Sequence, residues 1–250
     1  ARSWRGAKID SPGGSVRSSK RRVMTWNVRR GKGRDGRVDL DRVARVVRAA
    51  DPDVLALQEL DVGRARTGGV NQPEALARLL GMHVCFSPTV HSEGDGSYGH
   101  ALFTRAEPQA QTIVSLPRVP TRELRTLIEM SVDVGGTHVA FQSIHLGLLW
   151  PERFIQASAI LKEHRRGEAC VLMGDFNASA WMPTLRRLGK RFRDAAPGGG
   201  ATWPSALPLR RLDYVLMDGG VRSNGSRVLV GGEASQASDH LGLVAEVAVG

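Results

Sequence analysis

The chain is short of cysteine, of aromatic residues and of long apolar runs, and each shortage limits what it can be. Only two cysteines occur in 250 residues, Cys85 and Cys170. Both lie in apolar, strand-like runs, "HVCF" and "ACVLM", where free cysteine behaves as a small buried hydrophobe, and two alone do not make a zinc site. They leave the redox compartment open. No apolar run approaches the roughly 18 residues of a membrane-spanning helix, so no such helix is expected. Aromatic residues are 5% of the chain, and the interleaved aromatics and lysines of a dedicated nucleic-acid groove are absent. The N-terminus lacks an apolar h-region and is therefore not an intact secretory signal. A soluble protein is expected, with the cytoplasm favoured.

Charge is distributed unevenly. The formal net charge is +10, but residues 1–22, "ARSWRGAKIDSPGGSVRSSKRR", hold seven Lys/Arg against one Asp. The other 228 residues hold 28 basic against 24 acidic side chains, a net of only +4. The leading segment is rich in Ser, Gly and Arg without periodicity, so residues 1–21 are expected to form a flexible basic tail. Such a tail either attracts nucleic acid or an anionic membrane surface, or is a solubilising leader or cloning remnant. Residues 22–250 are expected to form one domain with a substantial core.

Beyond the tail, strand-like and helical patterns alternate. "VMTWNV" is short and β-branched and reads as a buried strand. In "DLDRVARVVRAADPDV" the apolar residues Leu40, Val43, Val46, Val47 and Ala50 share one helical face, with Asp39 as cap and Pro52 at the end. The strand "DVLALQEL" follows, then a helix with Pro73 in its first turn and Gly81 at its stop. Next come the strand-like runs "HVCFSPTV", "HALFTR", "TLIEMSVDV" and "HVAFQSIHL", the last two joined by Gly135–Gly136 as in an antiparallel hairpin. A helix from Pro151, the strand "CVLMGDFN", a short helix near "WMPTLRRLG", a loop from Pro197 to Arg211 and three final strands complete the chain. This is the pattern of an α/β protein with mixed sheets and helices outside.

Several of these apolar strands end in residues that resist burial: Asn27 after "TW", Glu59 after "LALQ", His145 after "QSI", and Asp175 and Asn177 in "LMGDFN". Asp213 stands among apolar residues in "RRLDYVLM", and Asp239 and His240 precede the last strand. Burying so many unpaired polar groups would cost several kcal/mol each by rough estimate, so they are expected to pair with one another, a metal or a ligand. Each also has an ordinary structural reading. Asn27 suits a turn, Glu59 a helix start or an arginine pair, His145 a satisfied core histidine, Asp213 a salt bridge with Arg210 or Arg211, and Asp175 with Asn177 a turn. A single shared site would satisfy all of them.

"TWNV", "LALQE", "SIHLG", "GDFN", "RLDYV" and "SDHLGL", in this order over residues 22–249, resemble the endonuclease/exonuclease/phosphatase superfamily. It includes pancreatic-type deoxyribonuclease, abasic-site endonucleases, neutral sphingomyelinases and inositol phosphate phosphatases. The resemblance implies a four-layer α-β-β-α sandwich and divalent-metal hydrolysis of phosphate esters. It implies that Glu59, with Asn27 and Asp239, holds Mg²⁺ or Mn²⁺ through oxygen atoms. It implies that His240 pairs with Asp213 and contacts the phosphate or activates water, and that His145 brings a second imidazole. Asp175 and Asn177 would position the nucleophile and stabilise the transition state; whether Asp175 or His240 takes the water proton stays open, as does the use of one or two metals.

Some residues depart from the family pattern. Arg29 and Arg30 stand where abasic-site endonucleases usually have an Asp or a Gly-containing turn, which weakens a repair-nuclease reading; the arginines either clamp an anionic substrate or face solvent. "SYGHALFTR" resembles a family strand often carrying Asn at the position of His100, which makes Tyr98 and His100 candidate phosphate contacts. Trp203 is a candidate for stacking or simple packing, as are Trp150 and Trp181. The expected partner is a phosphate-ester substrate, with nucleic acid and phospholipid both open. The competing readings are a non-catalytic binding module on the same fold, and a lipid-surface protein tethered by its tail, for which the sequence shows no clear insertion loop.

Overall fold

The structure, a computed structural model, describes residues 19–119, 122–165 and 167–249. The expected tail lies outside these residues up to position 18, and its expected end at 21 is corrected: Lys20 and Arg21 already pair with the last strand. The elements in chain order are β1 (Lys20–Asn27), α1 (Leu40–Ala50), β2 (Val54–Val62), α2 (Gln72–Leu80), β3 (His83–His91), β4 (Ser97–Thr104), β5 (Ala110–Leu116) and β6 (Arg125–Val134). They continue with β7 (Thr137–His145), α3 (Trp150–Glu163), β8 (Cys170–Asp175), α4 (Pro183–Leu188), β9 (Arg193–Asp194), β10 (Asp213–Asp218), β11 (Val221–Val228), α5 (Gly232–Ala237) and β12 (Leu243–Val249). No helix among the described residues is long and apolar enough to cross a membrane.

The strands form two six-stranded mixed sheets, ordered β11-β12-β1-β2-β4-β3 and β5-β6-β7-β8-β10-β9. Three apolar layers explain the stacking. One contains Val23, Val54, Ala56 and Leu102 of the first sheet with Phe141, Val171, Met173 and Val215 of the second. Another joins Met24, Trp26, Leu55 and Leu57 to Val43 and Val47 of α1 and Leu76 of α2. The third joins Ile144, Leu172 and Tyr214 to Ala157 and Ile160 of α3 and Leu185 and Leu188 of α4. Each sheet is thus buried on both faces, and the order of layers is α-β-β-α, as the family resemblance implied.

Local chemistry places the elements. The side chain of Asp39 accepts from Arg42 N at 2.8 Å and caps α1, and Asn71 caps α2 by accepting from Glu74 N. Three elements were not expected, the two-residue β9 among them. β5 is an edge strand with most of its residues exposed, so it has no apolar alternation to betray it. α5, "GEASQA", is one and a half turns long with only Ala237 buried, too short for a helical stripe.

Alternation positions the site. Inward residues recur with period two: Val23 and Thr25 on β1, Val54 and Ala56 on β2, Phe141 and Ser143 on β7, Val171 and Met173 on β8, Met217 and Val215 on β10. The next members of these rows are Asn27, Gln58, His145, Asp175 and Asp213. Register brings them level, with Asn27 opposite Gln58 and with His145 and Asp213 both opposite Asp175. The layer between the sheets is therefore apolar in the middle and polar at one end.

Gly174 makes that end possible. Its φ is +152°, and a Cβ there would collide with the carbonyl oxygen of Ile144 on β7. Gly174→Ala is expected to destabilise the fold by about 2–4 kcal/mol, since neither backbone nor neighbouring strand yields cheaply. Denaturant unfolding checks this; an unchanged midpoint would contradict it.

Candidate active site

Asp175 is the hub of the polar end. It is 1% exposed. Its Oδ2 accepts from Asn27 Nδ2 at 3.1 Å and lies 3.7 Å from His145 Nε2 and 3.8 Å from His240 Nε2. Its Oδ1 accepts from the backbone N–H of Asn177 at 2.8 Å. Asn177 itself has φ +49° and donates through Nδ2 to Leu146 O at 2.9 Å. The backbone turn after β8 therefore holds Asn177 beside the strand that carries His145, and two strands share the labour of aiming one carboxylate.

His240 enters from the loop before β12. Its Nδ1 lies 3.0 Å from Asp213 Oδ2, a contact that fixes the tautomer and leaves Nε2 toward Asp175. The loop is pinned from three sides. Trp26 Nε1 donates to His240 O at 2.9 Å, Ser238 Oγ donates to Asn27 O at 2.7 Å, and Ser205 N donates to Asp239 O at 2.7 Å. Asp239 is half-exposed, its Oδ1 accepting from Ser238 Oγ and its Oδ2 3.8 Å from Arg29 Nε.

Glu59 reaches the site by a break in alternation. The register of β2 on β4 shifts between Gln58 and Leu60, and Glu59 has φ +62°. This bulge takes Glu59 out of the row that buries Leu55 and Leu57 against the helices. Its Oε1 accepts from Asn27 Nδ2 at 3.0 Å and its Oε2 faces Arg30 at 3.5 Å. Arg29 and Arg30 both have positive φ, and both turn toward site acids rather than solvent; Arg29 N also donates to Asn27 Oδ1 at 3.1 Å.

The electrostatics separate the two imidazoles. Burial pushes His145 well below the ordinary histidine range, and the charges of Arg125, His100 and His240 push the same way. His145 is therefore neutral, and its approach to Asp175 is not an ion pair. Burial also works against a proton on His240, but the Asp213 carboxylate, with Asp175 and Asp239, outweighs it and lifts the group to about 10. Burial, then the neighbouring Asp213 charge, raises Asp175 to about 6, despite the hydrogen bonds from Asn177 and Asn27. A poised carboxylate beside a committed imidazolium is an arrangement typical of acid–base sites.

Two sets of side chains have the chemistry to hold a cation. Glu59 and Asp239 offer partly exposed carboxylate oxygens, and Asn27 lies between them with Nδ2 on Glu59 and Oδ1 on the backbone N–H of Arg29, whose side chain faces Asp239. Asp175, Asp213 and His240 bring one ligand atom each within 4.8 Å of one another, and Asp213 Oδ1 is buried with no partner. The oxygen-only first set suits a hard divalent ion and leaves the imidazoles free, so the residues fit such an ion.

Not every expected contact survives. His100 is fully buried, and its two ring nitrogens are taken by Ser143 Oγ at 3.1 Å and Thr126 Oγ1 at 2.8 Å. It supports the floor of the site from between the sheets and is corrected as a phosphate contact. Tyr98 is 8% exposed with Arg66 over its ring; burial and then the Glu59 charge raise its phenol, which places it at the back of the Glu59 bulge. Ser238 and Arg125 were missed. Ser238 sits inside the "SDH" run, but its role as a clamp on Asn27 O depends on tertiary contact. Arg125 starts β6, is 5% exposed, and leaves Nε and Nη1 without partners while Nη2 pairs with Glu123 at 2.6 Å.

Known proteins share this architecture. The endonuclease/exonuclease/phosphatase of Beutenbergia cavernae is 26% identical, with a TM-score of 0.78 over 92% of this chain and 72% of that one. The human nocturnin catalytic domain, solved with a bound sulfate, is 20% identical with a TM-score of 0.73 over 92% of this chain and 95% of that one. A mannosyl-6-phosphatase of Bacteroides thetaiotaomicron is 16% identical with a TM-score of 0.73 over 90% and 98% of the two chains. No curated protein matches in sequence. Residues 24–240, a span that runs from the middle of β1 to His240 and takes in every residue around Asp175, match the Endonuclease/Exonuclease/phosphatase family, and the chain belongs to that family.

Proposed function

We propose that the protein hydrolyses phosphate esters with the help of a divalent ion, Mg²⁺ or Mn²⁺. The observation that carries this reading is the convergence of Asn27, His145 and His240 on one oxygen of a buried carboxylate, Asp175. A tetrahedral anion at the mouth would meet the His240 cation, neutral His145 and the Asn177 amide, the donors that phosphoryl oxygens need. Family membership and the sulfate found in nocturnin agree with such a ligand. Glu59 and Asn27, with Asp239, would hold the ion, whose chemistry is to neutralise charge on the phosphoryl oxygens.

Asp175 is the proton acceptor in this reading. His240 already holds its proton at neutral pH, whereas a carboxylate near 6 is mostly ionised and basic enough to act. The water oxygen bonds to phosphorus as the P–O ester bond breaks; the water proton goes to Asp175, and the leaving alkoxide takes a proton from solvent. His240 stays charged and holds the phosphoryl group, with Asp213 holding His240. Asn177 orients the water.

A panel of bis-p-nitrophenyl phosphate, plasmid DNA, an abasic duplex, sphingomyelin and inositol phosphates, each with Mg²⁺ or Mn²⁺ and with EDTA, tests this. Metal-dependent hydrolysis of at least one member is expected. Binding of these compounds without turnover of any would leave a non-catalytic module on this fold.

A further inference from the structure

The mouth of the site is bordered by large apolar side chains that nothing among the described residues covers. Leu148 is 69% exposed, Trp150 59%, Trp181 75%, Leu207 65% and Leu209 72%, with Leu149 at 39%. They sit on three loops adjoining site residues, with Trp150 at the start of α3: His145 leads into the β7–α3 loop, Asn177 into the β8–α4 loop, and the β9–β10 loop into Asp213. The loops are joined. Asn177 donates to Leu146 O, and buried Arg153 donates to Leu148 O and points Nη2 at Met182 Sδ, 3.9 Å away. Phe176 N donates to Leu212 O at 2.9 Å and Ser205 N to Asp239 O at 2.7 Å, which ties the β9–β10 loop to the β8–α4 loop and to the loop that carries His240. The apolar residues therefore belong to one rim rather than to scattered loops, and exposed apolar groups concentrated in one place mark a contact surface.

The charge of the rim selects its partner. Residues 146–151, 176–182 and 197–211 contain no Asp or Glu, while Arg210 is exposed and Arg186 and Arg187 follow on α4. Four of the six apolar residues are leucines, which have no π face for a nucleobase to stack on. Leucines at loop tips, tryptophans beside them and arginines without acids match an anionic bilayer surface: acyl chains take the leucines, the interfacial zone the indoles, the headgroups the guanidinium groups.

We infer that this rim docks on an anionic phospholipid surface and presents to Asp175 and His240 a phosphate ester carried in that surface. The inference rests on the phosphohydrolase reading, since the rim is built on the loops that follow His145 and Asn177 and precede Asp213. It differs from tethering by the basic N-terminal segment, because the rim alone supplies the apolar contact.

The test is co-sedimentation of the full chain with phosphatidylcholine vesicles with and without phosphatidylglycerol, for the wild type and for Trp181→Ser/Leu207→Ser/Leu209→Ser. These exposed side chains are outside the catalytic set, so soluble bis-p-nitrophenyl phosphate should be hydrolysed at the wild-type rate. Vesicle affinity should depend on phosphatidylglycerol and fall at least about tenfold in the triple variant, with Trp181 fluorescence shifting to the blue on binding. Equal vesicle binding by the triple variant would overturn the inference, as would no binding by the wild type, or a single-stranded oligonucleotide held in a rim-dependent way. The substrate panel keeps the two claims apart: metal-dependent hydrolysis of a panel member without rim-dependent vesicle binding sinks the docking surface alone, and no metal-dependent hydrolysis of any panel member sinks the phosphohydrolase reading on which the inference rests.

Discussion

Asp175→Asn should lower kcat by about 10²–10⁴-fold on every ester the protein hydrolyses, the usual contribution of a positioned acid–base group. The amide keeps the size of the carboxylate but only one of its two acceptor oxygens, so one of the hydrogen bonds from Asn27 Nδ2 and Asn177 N is lost, while substrate binding should still change far less than turnover. The expected effect on stability has the opposite sign from that of an ordinary core mutation. Asp175 is buried, beside Asp213, and burial already raises it to about 6. Removing its charge removes a desolvation cost, so the melting temperature should stay level or rise. A large loss of kcat with an unchanged or higher Tm is the signature of a catalytic group. Loss of both together would mean that Asp175 is structural.

Asp213→Asn is the second large effect, and here the pH profile carries the information. Asp213 acts on two groups with opposite charges but the same direction of shift. Its negative charge repels that of Asp175 and raises the carboxylate; it attracts the proton of His240 and raises the imidazole to about 10. In the wild type, activity should climb through about pH 6 as Asp175 ionises and hold until His240 loses its proton near 10. In the Asp213→Asn variant both limbs should move to lower pH. The acid limb falls because a like charge is gone; the alkaline limb falls because burial then decides the His240 proton. At neutral pH the imidazole would be largely neutral, and a rate loss of about 10²–10⁴-fold is expected. A profile that keeps its alkaline limb would show that Asp213 does not hold the His240 proton.

How legible the molecule was in its sequence follows from how local each feature is. The site row could be read because period-two alternation continues without a fault into Asn27, His145 and Asp175, so the residues that end the apolar rows are those that meet in space. Glu59 was legible as the acid that ends "LALQ", but its metal-binding role came only from the family resemblance: its bulge inserts one residue into β2, and strict alternation would have sent it toward the helices. His100 shows the reverse error. It lies on an inward row like the others, level with Gln58, but Ser143 and Thr126 consume both nitrogens. Ser238 and Arg125 were invisible because their roles are set by partners 211 residues away in one case and by buried surroundings in the other. The apolar rim was invisible for a simpler reason. Trp150, Trp181 and Leu207 look like packing residues until the fold shows them exposed among the described residues.

The central claim is that Glu59 helps to hold a divalent ion that the hydrolysis requires. Initial rates on bis-p-nitrophenyl phosphate, titrated with Mg²⁺ after EDTA treatment, for the wild type and Glu59→Ala, test it most directly. The expected result is a saturable activation of the wild type that is abolished in Glu59→Ala or displaced to concentrations at least about tenfold higher, since metal sites weaken by that much even when only supporting groups are lost. Superimposable activation curves, or hydrolysis that survives EDTA in both proteins, would contradict it.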